Sequence, residues 1–257
     1  MTPEDVGLPN GGRRRTPGLR REEVAMLAGV GTTWYTWLEQ GRDVRASLDV
    51  LDSLSRALKL SAAERIHLIL LGRGEEGPAA SSAPGERVSP AIKRVIENLG
   101  LNPAFLLGYR WDYLAWNKAA TVLFGDLGAI PRARRNHVWL MFTDPARREM
   151  FVDWKQGSRL CVAKFRADSA RHLGDQAFEE LIAALRNASP EFCREWRRHE
   201  VATGSAGLKL LNHPVEGNMV FEHAAFNPSD SPDQRLVLYT PVPVEDTPAK
   251  LARLMAA

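Results

Sequence analysis

The chain is poor in cysteine and has no long apolar run. Only two of its 257 residues are cysteine, Cys161 and Cys193, and they stand in no CxxC pattern. That leaves a disulfide framework and a cysteine-built zinc site without support. No stretch of about twenty apolar residues occurs and no signal-like segment opens the chain, so membrane insertion and export are not indicated and a cytoplasmic location is expected. A strong excess of one charge is missing too: 34 Lys+Arg against 31 Asp+Glu give a net charge of +3, too mild for a global polycation. The histidines, His67, His137, His172, His199, His213 and His223, are scattered with no metal-ligand spacing. No GxSxG elbow, Walker loop or GxGxxG after a strand is present. A self-cleaving repressor would need its Ala-Gly cleavage pair in a hinge, and Ala206-Gly207 lies deep in the second half. Catalysis, a metal and a cofactor are therefore not expected.

What remains is ordinary globular material, 44% hydrophobic and 25% charged, enough for one large or two medium domains. The most informative stretch is Arg20 to Gly41. Val24, Leu27 and Ala28, then Val30, Tyr35 and Leu38, fall at helical spacing on either side of a break at Gly29. Gly29 can take the positive φ of a three- or four-residue turn, Ala25 permits close helix approach, and Gly41 is a C-terminal stop. The pattern is that of a helix-turn-helix whose second helix enters the DNA major groove. A helical hairpin within another α domain is the alternative, and it leaves the turn and the adjacent basic run unexplained. The spacing predicts Thr32, Thr33, Thr36 and Trp37 facing the groove and Val30, Tyr35 and Leu38 facing the core. Arg13, Arg14, Arg15 and Arg21, with Arg42 beyond the second helix, are candidate phosphate contacts on double-stranded DNA, or else a solvated loop.

Ala25-x-x-Ala28-Gly29-Val30 followed by Tyr35-x-x-Leu38-Glu39-x-Gly41 resembles the Xre/lambda-repressor type of domain. The resemblance implies two further helices. One is capped by Ser47 with Leu48, Leu51, Leu54 and Leu58 inward; the other has a capping box from Ser61 to Glu64 and then Ile66, Leu68, Ile69 and Leu70. Xre domains also carry an amphipathic helix before the motif. Here Pro3, Gly7, Pro9, Asn10, Gly11 and Gly12 break helices, so that first helix is expected to be absent. Met1 is then expected to lie inside a longer reading frame, with the apolar face around Val24, Leu27 and Leu54 short of cover.

All but three of residues 72–85 are Gly, Ala, Ser or Pro, the composition of a flexible linker. The expected division is 1–71 for the DNA-binding head, 72–89 for the linker and 90–257 for a second domain. Ser89 and Pro90 start a helix carrying Ile92, Val95, Ile96 and Leu99. Phe105–Tyr109 and Tyr113–Trp116 read as a hairpin, Asn117 as the cap of a helix through Phe124, and roughly 136–200 as helical. Three strand-like runs follow, Gly207–Leu211, Asn218–Ala225 and Gln234–Thr240, and then a helix from Glu245 to Met255. This is the order of an α+β PAS-like domain, a five-stranded antiparallel sheet with helices over one face.

Trp111-Asp-Tyr-Leu-Ala-Trp-Asn117, Arg135-Asn136, Asp144-Pro-Ala-Arg-Arg148, Asp153-Trp154, Ser189-Pro-Glu-Phe192, Trp196 and His213-Pro214 occur in that order. Together they resemble the ligand-binding domain of the MmyB-like transcription regulators, and Arg13-Arg-Arg-Thr-Pro-Gly-Leu-Arg-Arg-Glu-Glu23 is similar to that family's entry into its helix-turn-helix. A basic residue is usual in the family where Trp37 stands. The resemblance implies a transcription regulator whose PAS-related module holds a small apolar, fatty-acid-like ligand. Candidate contacts are Trp111, Trp116, Asn117, Arg135, Asn136, Trp139, Arg147, Trp154 and Arg166, the arginines being suited to a carboxylate. The same aromatics can be plain core, the arginines can pair with Glu149, Asp153 or Asp168, and Asn117 can be only a cap. A homodimer is expected. The alternative function is a helix-turn-helix protein whose second domain only dimerises or binds protein, as an antitoxin or scaffold.

Overall fold

The computed structural model describes residues 1–9, 18–73, 86–204 and 206–256, and the chain forms two compact units, Met1–Gly77 and Pro78–Ala257. The first unit is helical: α1 (Arg21–Ala28), α2 (Thr32–Glu39), α3 (Leu48–Ala57) and α4 (Ala62–Arg73). Gly29 ends α1 at φ 70°, and the N–H of Val30 reaches back to the Ala25 carbonyl at 2.9 Å. Ser47 caps α3 by accepting from the Val50 N–H, and Ser61 and Glu64 form the reciprocal box at the start of α4, with the Ser61 N–H donating to Glu64 at 2.8 Å. Val24, Ala25, Ala28, Tyr35, Leu54 and Ala57 make the core.

Three expectations for this unit are corrected. Leu48 opens α3 exposed, so the inward stripe begins at Leu51. Ile66 is also exposed, because α4 approaches α3 elsewhere: Gly72 lies so close to Leu51 that a Cβ there would come within 2.7 Å of its side chain. Val24 and Leu54 are buried rather than uncovered, since α1 and α3 pack together and Leu19 and Leu68 close over them. Residues 1–9 hold a short 3-10 turn at Glu4–Val6 and no α-helix, and Arg13, Arg14 and Arg15 lie outside the described residues.

The second unit is α+β. It runs α5 (Pro90–Glu97), β1 (Ala104–Leu107), β2 (Tyr113–Trp116), α6 (Lys118–Phe124), α7 (His137–Thr143), α8 (Pro145–Met150), α9 (Trp154–Ser169), α10 (Gln176–Ala188), α11 (Pro190–Trp196), β3 (Gly207–His213), β4 (Gly217–Phe226), β5 (Arg235–Pro241) and α12 (Thr247–Ala256). The sheet is antiparallel throughout, in the order β2-β1-β5-β4-β3. Strand alternation divides its side chains. Phe105, Leu107, Val237 and Tyr239 enter the main core with the helical middle, whereas Ala104, Leu106, Leu236 and Leu238 pack with Ile92 and Ile96 of α5. Helices thus cover both faces rather than one, which is why all four residues of β1 are buried.

Candidate functional site

In the first unit, α2 turns one face inward through Tyr35 and leaves Thr32, Thr33 and Trp37 exposed; Thr36 is half-buried and donates to the Thr32 carbonyl at 2.8 Å. Trp37 is 40% exposed, and the Arg42 guanidinium lies 6.0 Å from its ring. Arg21 is not a free cation: its guanidinium forms an ion pair with Glu39 at the end of α2. Burial, with the Glu39 carboxylate beside it, pushes the Tyr35 phenol up to about 12.

In the second unit a cavity of about 90 Å³ opens between α9 and the inner face of the sheet and runs out toward solvent. Phe105, Trp111, Met141, Val237 and Tyr239 are among its apolar walls. Gly157, Leu160, Cys161 and Lys164 bring one stripe of α9 to it, at the i, i+3, i+4, i+7 spacing of a helix face. A shallower groove of about 750 Å³ continues between α9 and β3 and shares Lys164, Lys209 and His223 with the cavity.

Trp111 is the fixed point of the wall. It sits at φ 68° in the turn between β1 and β2, a conformation rare for a bulky residue. Its indole N–H donates to Asp168 at 2.9 Å, and Arg235, on the same carboxylate at 2.9 Å, lies against its ring. His137 also lines the cavity, 2.8 Å from the Tyr113 hydroxyl. Burial, and then the nearby Arg147 charge, pulls its pKa down to about 3. Burial pushes the Cys161 thiol up to about 12, which leaves it an unreactive part of the wall.

Of the expected ligand contacts, Trp111 alone is among the wall residues. Asn117 caps α6 by accepting from Ala120 and also ties the Ala104 N–H and the Asn102 carbonyl. Asn136 caps α7 through the Trp139 N–H and donates to the Arg110 carbonyl and Asp112. Trp139 packs half-buried against the core. Trp154 donates its indole N–H to the Met141 carbonyl. Arg135 donates to the carbonyls of Gly128 and Ile130 and covers the Trp116 ring at 5.2 Å. Arg166 lies 3.9 Å over Trp196 and donates to its carbonyl. Arg147 is buried behind the aromatic layer, its guanidinium 4.8 Å from the Phe124 ring and one terminal nitrogen without a hydrogen-bond partner.

Sequence reasoning missed Lys164, Lys209, His137 and His223. Lys164 carried a signal, as the cation in an otherwise small and apolar helical stripe. Lys209 carried a misleading one: Leu208 and Leu210 flank it and invite an inward reading, yet Leu208 is 71% exposed and Lys209 turns in with Leu211.

Among the described residues no group of three or more His, Cys, Asp or Glu could hold a metal ion, and no helix is long and apolar enough to cross a membrane. The family model described as MmyB-like transcription regulator ligand binding domain matches residues 88–254, and one described as Helix-turn-helix domain matches residues 12–68. No curated protein matches the chain. A helix-turn-helix unit followed by an α+β unit with a walled cavity fits both matches, and the chain belongs to the MmyB-like transcription regulators, as a ligand-responsive DNA-binding protein.

Proposed function

We propose that this regulator senses a fatty-acid-like molecule, with the cavity beside α9 as its site and the three-part division 1–71, 72–89 and 90–257 linking sensor to head. The observation that carries this reading is the cavity itself: aromatic and aliphatic walls that open toward solvent and carry a set of basic groups, Lys164, Lys209, His137, His223 and Arg235. Trp111 packs against the ligand, and Arg147 raises the positive potential at the buried end. In the head, Thr32, Thr33, Thr36 and Trp37 meet base edges, while Arg42 and the Arg13–Arg15 run meet phosphates and Arg21 joins them only on leaving Glu39. The protein acts in the cytoplasm as a homodimer on double-stranded DNA.

Thermal denaturation of the full chain against a series of fatty acids tests the ligand. A binder at a hundredfold excess over Kd should stabilise the second unit by about 2.7 kcal/mol. No shift with any chain length, together with protein that carries no acyl compound on extraction and mass spectrometry, sinks the fatty-acid reading. The competing interaction-module reading draws on one observation, the exposed Leu208 and Leu210 on the edge strand β3.

A further inference from the structure

Two cations at the outer end of the cavity have no counter-ion. Lys164, from α9, and Lys209, from β3, line both the cavity and the groove that leads to it. Both are half-buried, and neither side chain makes an ion pair or a hydrogen bond to another described residue; the Asp168 carboxylate acts on Lys164 only from a distance and is already paired with Arg171 and Arg235. The other basic groups of the wall are accounted for. Arg235 pairs with Asp168, a carboxylate it shares with Arg171, and burial, with the two lysines nearby, lowers the His223 pKa from its usual 6.5. No carboxylate lines the cavity. In the groove, Asp153 caps α9 and Glu200 is held by Arg159 and Arg198. Two ammonium groups facing one space from opposite walls repel each other and lose hydration. Both lysines accordingly have lowered pKa values, Lys164 by burial and then by Lys209, Lys209 by burial.

We propose that Lys164 and Lys209 form the head-group subsite of the ligand cavity, and that the group they take is a phosphate-type dianion at the end of an alkyl or acyl chain, its tail running inward to Phe105 and Tyr239. Charge matching selects the dianion: two unpaired ammonium groups are neutralised by a phosphate monoester, whereas a carboxylate leaves one unpaired. Arg147 does not compete for the head, because it stands behind the aromatic layer and is not among the wall residues. The assignment rests on the cavity being the ligand site, and it adds the chemistry and the direction of the ligand.

The test is equilibrium binding of C12 probes to the full chain below their micelle concentrations: dodecyl phosphate, dodecanoate, dodecanol and dodecyltrimethylammonium, with inorganic phosphate alone as a further arm. Dodecyl phosphate should bind about tenfold or more tightly than dodecanoate, the cationic probe least, and inorganic phosphate only weakly. The K164M/K209M variant should lose the phosphate preference, and K164R/K209R should keep it. Equal or tighter dodecanoate binding overturns the assignment, as does a phosphate preference that survives the double Met variant, which would leave Lys209 a device that blunts the β3 edge. Inorganic phosphate binding as tightly as dodecyl phosphate overturns the chain-bearing ligand. Failure of every C12 probe, dodecanol included, overturns the cavity as ligand site and the head group with it. Wild-type selectivity decides even where a variant does not fold.

Discussion

At the scale of single residues, His137 has the most altered chemistry. Its ring lies in the core between Phe105, Trp111 and Tyr113, and burial holds its pKa near 3 instead of 6.5. Between those values the unfolded chain binds a proton that the folded one does not, so His137 favours folding above about pH 6.5 and loses that contribution as pH falls toward 3. The second unit is expected to lose on the order of a few kcal/mol over this window. Urea denaturation followed by tryptophan fluorescence at about pH 5 and about pH 7.5 measures it, and His137→Phe should flatten the difference. An unchanged pH dependence in that variant would assign the effect to other groups. His137 could not be singled out in the sequence, because none of the six histidines shows a ligand spacing and only packing distinguishes the buried ones.

At the scale of elements, the residues that made the family legible are mostly helix caps. Asn117, Asn136, Asp144, Asp153 and Ser189 each accept from a backbone N–H in the first turn of the helix they start. Pro145 and Pro190 occupy the first helical turns beside two of them. A cap costs about 1 kcal/mol to remove, so such segments mark helix starts whatever the cavity holds. That is why they forecast the α+β order well and named few wall residues. The helix-turn-helix carries its own constraint in the Arg21–Glu39 pair between α1 and α2. Glu39→Gln is expected to free Arg21 for phosphate, tightening binding to all DNA sequences alike and steepening the salt dependence by about one unit. Fluorescence anisotropy over a salt series reads both, and an unchanged slope would mean that Arg21 points away from the backbone of the DNA.

At the scale of the molecule, each unit has its own core: Val24, Ala25, Tyr35 and Leu54 in the first, and the layer of Phe105, Phe165, Phe192 and Phe221 in the second. Each core, as described, is assembled from residues of its own unit. The three-part division therefore predicts that limited proteolysis of the full chain cuts first within 72–89 and leaves two resistant fragments. Mass spectrometry of the fragments identifies the cuts. Early cleavage inside 90–257 instead would count against the boundary. Ligand should slow further digestion of the second fragment and leave the first unaffected, since binding energy stabilises only the unit that binds.

The sequence by itself determined the helix-turn-helix, the hairpin, the helical middle, the three later strands and the caps that join them, because these are written in local periodicity and turn chemistry. It also carried the family, through short segments kept in order. Tertiary structure alone decided that α5 covers the second face of the sheet, that Lys209 turns inward while Leu208 and Leu210 do not, and that Trp111 lines the cavity while Trp116 and Trp154 are engaged elsewhere. The physical reason is that a strand's alternation has two possible faces and a tryptophan many possible neighbours. Which face is buried, and which ring meets the empty space, depends on contacts between residues far apart in the chain.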